Sequence, residues 1–240
     1  MRQLVGIEDN LPSKDGLLRV EWNLGKRCNY DCSYCDESTH DRKSPHVSAE
    51  VFERTIEKLM SAAAAAGRKL KIAYTGGEPF AHPHILDLLR IAKQKGVHKM
   101  SVTTNGSVPL DKYKAALEYL DYVIISYHFE FAYHDKVINT IIGINEECNR
   151  MTQAGRWRGC HTHIMFLPGH MDETREICQT MRDNGVRYVI RRIRPQYDPV
   201  NKDYLRPYRS GLDGVYQLDS YNISQPYYTD DEVRFMEDGV

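Results

Sequence analysis

No apolar run in this chain approaches the roughly 20 residues a helix needs to cross a bilayer, so no membrane partner is expected. The amino terminus, MRQLVGIEDNLPSKDG, has no apolar stretch of the signal-peptide kind, which points to the cytoplasm. Excess charge of either sign is missing too: the net charge is −1, and nothing global indicates a nucleic-acid partner. There is no internal repeat and no low-complexity linker, since the run of alanines at 62–66 is a good helix former. Disulfides are not expected without an export signal. What remains is ordinary globular material, 240 residues with 41% hydrophobic and 27% charged side chains, enough for one sizeable domain.

Strand-like and helix-like runs alternate along most of it. LLRVEWNL (17–24), KLKIAYT (69–75), KMSVTT (99–104), YVIISYHF (122–129), CHTHIMFL (160–167) and RYVIRRI (187–193) are six strand candidates, and each of the five gaps holds a helix candidate. Ser48 is placed to cap the first helix and Gly67 to end it. Pro83 is placed to open the second, while Gly96 and Gly185 mark later stops. Such alternation requires a parallel sheet with right-handed crossovers. Periodicity alone leaves open whether six units curl into part of a barrel or lie flat as a doubly wound sheet. The sequence divides into residues 1–194, carrying this rhythm, and a tail, 195–240, rich in Tyr, Asp and Pro with little periodicity. The tail reads as an irregular cap or extension, its tyrosines favouring the cap because disordered segments are poor in aromatics.

Cysteine is sparse except in one place. Cys28, Cys32 and Cys35 fall within eight residues after the first strand candidate, whereas Cys148, Cys160 and Cys178 share no short spacing and read as small buried residues. Clustered thiolates are soft ligands suited to iron–sulfur clusters or to zinc. Three local thiolates would leave one iron of a cubane open to a further ligand. With His40 five residues beyond Cys35, a Cys3His zinc site is the rival reading. Two more strand ends carry unusual turns. Gly76-Gly77-Glu78-Pro79 follows the second strand, where paired glycines permit close backbone approach and Glu78 places a carboxylate at the edge where α/β folds bind ligands. Asn105-Gly106 follows the third. Each alone is compatible with a plain turn.

Taken together, Cys28-x3-Cys32-x2-Cys35 with Tyr34 before the last cysteine, GGEP and TTNG, in that order on three successive strand ends, resemble the radical S-adenosylmethionine (SAM) superfamily over about residues 17–193. The resemblance implies an α/β fold, a partial (β/α)6 TIM-like barrel with an irregular C-terminal extension. It implies that Cys28, Cys32 and Cys35 hold a [4Fe–4S] cluster whose open iron is chelated by SAM. Reductive cleavage would then give a 5′-deoxyadenosyl radical that abstracts hydrogen from a small-molecule, sugar, nucleotide or peptide substrate. An electron donor such as flavodoxin or ferredoxin is implied as partner. By the same resemblance Gly76, Gly77 and Glu78 bind the methionine ammonium, Tyr34 lies near the adenine, and Thr103 and Ser126 face the cofactor. The strand-five segment IMFLPGHMDE departs from the Gly-rich pattern of relatives, and no adenine contact is assigned there. The tail has no cysteine pair, so no auxiliary cluster is expected of it.

If Ser126 faces the cofactor, alternation points His128 and Glu130 toward the substrate as proton donor or anchor. His161 and His163 are similar, weaker candidates on the fifth strand. Arginines of both parities in RYVIRRIR imply at least one inward guanidinium in need of an anion. A glycyl-radical activating enzyme is the alternative within the enzymes. A zinc-stabilised binding module without turnover is the alternative outside them.

Overall fold

Runs rich in Val, Ile, Tyr and Thr form the strands, and the alanine- and leucine-rich segments between them form helices, as their propensities dictate. The computed structural model describes residues 15–32, 34, 35, 40–131, 134–193, 196–198, 203–209, 216–221 and 228–238; for 134, 196–198, 203–209, 216–221 and 238 the description is of the backbone alone. The amino-terminal stretch read for a signal peptide lies outside the described residues up to position 14.

The order is β1 (Leu17–Asn23), α1 (Ala49–Ala65), β2 (Lys69–Thr75), a 3₁₀ turn (Pro79–Ala81), α2 (Ile85–Gln94), β3 (Lys99–Thr104), α3 (Leu110–Leu117), β4 (Tyr122–His128), α4 (His134–Gln153), β5 (Gly159–Phe166), α5 (Met171–Asp183) and β6 (Tyr188–Arg192). Ser48 caps α1, its hydroxyl accepting from the Val51 N–H, and Gly67 follows at φ +62°. Pro83 does not itself open α2; the helix begins two residues later with His84 as its N-cap.

All six strands are parallel and lie in the order β1-β2-β3-β4-β5-β6. That order settles what periodicity left open. A doubly wound sheet reverses direction partway and puts helices on both faces, whereas five consecutive right-handed crossovers put every helix on one side. The other side is the concave interior of a partial barrel, open because among the described residues β1 and β6 are the edges of the sheet. No helix among the described residues is long and apolar enough to cross a membrane.

The alternation of each strand now has a meaning. Ile72, Tyr74, Val102, Val123, Ile125, Tyr127 and Ile164 point outward and are buried against Phe52, Ile56, Leu88, Leu89, Ile141, Ile144 and Met181 of the helices. Burying each such side chain contributes about 1.5–3 kcal/mol. The opposite parity, Thr103, Ser126, His128, His161 and His163 among them, is left to the interior. Cys148, Cys160 and Cys178 are buried as expected, and Cys148 of α4 meets Cys160 of β5 in a thiol–thiol hydrogen bond.

The tail is more ordered than its composition implies. Its described backbone forms β7 (Gln196–Asp198), β8 (Asp203–Arg209) and β9 (Tyr216–Tyr221), an antiparallel sheet in that order, followed by α6 (Asp230–Asp238). Thr229-x-x-Glu232 is a reciprocal capping box: the Thr229 Oγ1 accepts from the Glu232 N–H and the Glu232 carboxylate from the Thr229 N–H. Glu232 also accepts from the Gly169 N–H, and the Tyr228 hydroxyl donates to the Phe166 carbonyl while accepting from the Ile193 N–H. Phe235 and Tyr228 pack on Phe166, which docks α6 on the ends of β5 and β6.

Candidate active site

The site is built where β1 and β2 end. Beyond β1 the chain stays laced to the turn after β2: the Leu24 N–H donates to the Thr75 carbonyl, Gly77 N–H to the Gly25 carbonyl (2.8 Å) and Glu78 N–H to the Arg27 carbonyl (2.9 Å). The cysteine loop then leaves, and it is closed at its neck by Cys28 N–H to Asp41 C=O and Asp41 N–H to Lys26 C=O, both 2.8 Å. This lacing explains the paired glycines. A Cβ on Gly76 would lie 2.3 Å from the Asn23 Oδ1 and one on Gly77 2.3 Å from the Arg27 carbonyl oxygen. The close backbone approach expected there is an approach to the cysteine loop itself.

Glu78 fastens the same turn to β3. Its carboxylate, 4% exposed, accepts from the Phe80 N–H (2.8 Å), the Thr104 hydroxyl (2.7 Å) and the Asn105 N–H (2.6 Å). The Tyr113 hydroxyl, 2.9 Å away, donates to the Thr104 oxygen in turn. Burial pushes the Glu78 carboxyl up to about 7 although these donors pull it down. Asn105 reaches on through Nδ2 to the Asn29 Oδ1 (2.9 Å), so the third strand end also grips the cysteine loop. Neither Thr104 nor Asn29 was singled out from sequence. Both are polar residues beside a motif, and only the fold shows that they connect one turn to the next.

These turns enclose a cavity of about 160 Å³. Cys28, Cys32, Cys35 and His40 line one side, Gly76, Gly77 and Glu78 the floor, and Thr103, Asn105, Ser126 and His128 the far wall. Of the site residues expected from sequence, Tyr34 and Glu130 are not in its lining, nor are His161 and His163 of β5. Tyr34 is half-buried, and its hydroxyl lies 2.5 Å from the Nδ1 of His128, which does line the cavity. Glu130 lies past the end of β4, which stops at His128, so strand alternation does not carry through to it. His128, expected to turn toward substrate, is instead held against the cysteine loop, its Nδ1 also 3.6 Å from the Cys32 sulfur. Burial holds this imidazole neutral, near 4.

The donor set fits an iron–sulfur cluster. Three soft sulfurs share the cavity, and its one carboxylate, Glu78, is already occupied by three protein donors. The Cys32 thiol donates to the Cys35 sulfur, which lowers Cys35 to about 7 and raises Cys32. Burial raises Cys28 to about 11, and the Tyr30 N–H points at its sulfur (3.4 Å). Among the described residues no three His, Cys, Asp or Glu side chains are gathered tightly enough for a single ion, and the His40 Nε2 lies 3.1 Å from the Asp31 carboxylate. The arrangement suits a polynuclear group better than the Cys3His zinc site weighed above.

A parallel α/β partial barrel with a three-cysteine loop over the carboxyl ends of its strands defines a class, the iron–sulfur enzymes that work at a barrel mouth. The profile of the Radical SAM superfamily matches residues 22–181, and the chain belongs to that superfamily. Proteins of that superfamily use a [4Fe–4S] cluster and SAM. Among similar proteins, the GTP 3′,8-cyclase of Chlorobaculum tepidum is 41% identical over 91 residues, covering 38% of this chain and 26% of that protein. The S-adenosylmethionine-dependent nucleotide dehydratase of Lacinutrix mariniflava is 33% identical over 109 residues, 45% of this chain and 22% of that one. SuiB of Streptococcus suis, in a crystal structure bound to the precursor peptide SuiA, shares the fold with a TM-score of 0.56 at 16% identity, over 75% of this chain and 40% of that chain. The matched region is therefore about a quarter of the length of the two curated relatives.

Proposed function

We propose that this chain generates a 5′-deoxyadenosyl radical in the cavity below the cysteine loop and passes it to a small-molecule substrate held against β5 and β6. The observation that carries the reading is the meeting of three cysteines, the GGEP turn and the ends of β3 and β4 on one cavity. When bound, the cluster supplies one electron and SAM supplies the radical.

The chain's own residues position and exclude. Cys28, Cys32 and Cys35 hold the cluster, as thiolates. Gly76, Gly77 and Glu78 keep the GGEP turn pressed on the neck of the cysteine loop and so fix its distance from the cavity floor. Thr103 and Ser126 offer hydroxyls to the cofactor's polar groups. Tyr34 and His128 close the site from behind, and His128 acts on the Cys32 sulfur in place of the substrate role first expected. Glu130, in the turn after β4, is left as a candidate contact at the rim. A flavodoxin- or ferredoxin-type donor in the cytoplasm reduces the cluster. The nucleotide substrates named for two relatives support a substrate of that kind.

The test is anaerobic incubation of the reconstituted protein with SAM and dithionite. 5′-Deoxyadenosine is expected from the wild type and none from Cys35→Ala. A wild-type protein that carries the cluster and releases no 5′-deoxyadenosine would overturn the reading.

A further inference from the structure

The cofactor cavity uses the interior faces of β2, β3 and β4. The interior faces of β5 and β6 belong to no site so far described, and they carry a distinctive set of groups. His161 and His163 point inward from β5, each next to a β4 residue of the same face, since Ile124 pairs with His161 and Ser126 with His163. Their Nε2 atoms are 2.8 Å apart, and the His161 Nδ1 lies 3.0 Å from the Tyr122 hydroxyl. Just before β6, Arg187 stacks its guanidinium over the Tyr122 ring (5.9 Å to the centroid) and donates to the Cys160 carbonyl. Arg191 approaches His163 with one nitrogen at 3.4 Å.

The direction of these bonds leaves a deficit. Arg191 can only donate, so the His163 Nε2 must accept. That nitrogen has a single lone pair, which the His161 Nε2–H at 2.8 Å shares with Arg191 at 3.4 Å, and the His161 Nδ1 accepts from Tyr122. Both imidazoles are neutral in this chain of bonds. Burial, followed by the arginines and by the imidazole pair itself, lowers both, His163 to about 4. No residue of β4, β5 or β6 is Asp or Glu. Arg191, exposed at the open edge of the barrel, presents a planar fork of donors beside a neutral imidazole, and among the described residues of β4, β5 and β6 no oxyanion accompanies it.

We infer that Arg191 and His163 form the binding site for the phosphate end of a small-molecule substrate, a nucleoside or sugar phosphate in chemical class. The inference rests on the proposed function in that it makes this wall the substrate side. Arg191 is level with His128 across the sheet, because His128 pairs with Met165 and Met165 with Arg191. Two strand spacings, about 10 Å, separate it from the wall of the cofactor cavity. A phosphate anchored there leaves the sugar or base of the same molecule spanning toward the cavity where the radical is made.

Isothermal titration calorimetry of the cluster-loaded protein with inorganic pyrophosphate, without oxygen and without reductant, tests this separately from radical formation. Saturable binding at one site is expected. Arg191→Gln and His163→Leu should each weaken it about tenfold or more, the size of a lost hydrogen bond to a charged group. Arg191→Lys should restore part of the loss, and Arg90→Gln on the far side of α2 should change nothing. Equal cluster absorbance in all variants shows that they fold. No saturable binding to the wild type, or unchanged binding to Arg191→Gln, would overturn the inference. So would displacement of pyrophosphate by SAM, because the guanidinium would then serve the cofactor's carboxylate. A protein that cleaves SAM without binding pyrophosphate sinks this inference alone, and one that binds pyrophosphate without cleaving SAM sinks only the radical reading.

Discussion

Gly77→Ala is the smallest change that separates a glycine kept for the cysteine loop from one kept for a ligand. The new Cβ would sit 2.3 Å from the Arg27 carbonyl oxygen, 2.5 Å from that of Lys26 and 2.6 Å from the Arg27 carbonyl carbon. All three are backbone atoms, which no rotamer change can clear, so the turn and the loop neck must separate by about 1 Å to reach ordinary contact. Separation breaks the bonds from Gly77 N–H to Gly25 and from Glu78 N–H to Arg27. Two such bonds contribute about 1 kcal/mol each, and overpacking of a tight contact costs a further 1–3 kcal/mol or so. A loss of about 3–5 kcal/mol is expected in urea unfolding of the apoprotein, with iron content after reconstitution well below wild type. Gly67→Ala is the control: its Cβ meets nothing within 4 Å and carries only the left-handed backbone cost at φ +62°, about 1–2 kcal/mol. It should reconstitute fully. A Gly77→Ala protein with wild-type stability and wild-type iron would refute the reasoning.

Other consequences follow from single groups. The Thr162 hydroxyl is buried under the helices with no hydrogen-bond partner among the described residues; Thr162→Val should raise stability by about 1 kcal/mol, read as a higher Tm. Glu78 binds its proton more tightly folded, at about 7, than in an unfolded chain at about 4.5. The folded state therefore holds more protons between those values, and stability falls as pH rises through that window, by about 3 kcal/mol from this one group. Wild-type minus Glu78→Gln unfolding energies at pH 5 and pH 8 should differ in that sense, and a flat difference would contradict it. Either the His128 N–H or the Tyr34 O–H can be given to the Cys32 thiolate, and hydrogen bonds to a ligating sulfur tune a cluster's potential. His128→Phe should lower the cluster midpoint measured by spectroelectrochemistry, and an unchanged midpoint would remove the residue from that role.

Much of this was legible before any coordinates. The six strands fall within a residue or two of their sequence boundaries because each apolar run is buried on its outward face and stopped by glycine or a polar turn. Ser48 and Gly67 do what their types dictate. The barrel followed from strand order, which no local pattern encodes. Glu130 lies beyond the end of β4, so strand alternation says nothing of its direction, yet its charge is felt at Cys32, Tyr34 and Cys35. The contact of His128 with Cys32 spans 96 residues and depends on how the loop folds back over β4. In the tail, proline and the lack of periodicity hide a strand that Pro207 nevertheless occupies, in β8 beyond the residues paired with β7. The Thr229-x-x-Glu232 box was a helix signal present in the sequence and passed over.

The most direct test of the account counts iron and sulfide in the purified, anaerobically reconstituted protein. About four irons per chain are expected in the wild type and also in a variant with Cys148, Cys160 and Cys178 all changed to Ala, with the cluster lost when Cys28, Cys32 or Cys35 alone is changed to Ala. One zinc per chain in place of iron, or a four-iron cluster that survives without those three thiolates, would contradict it.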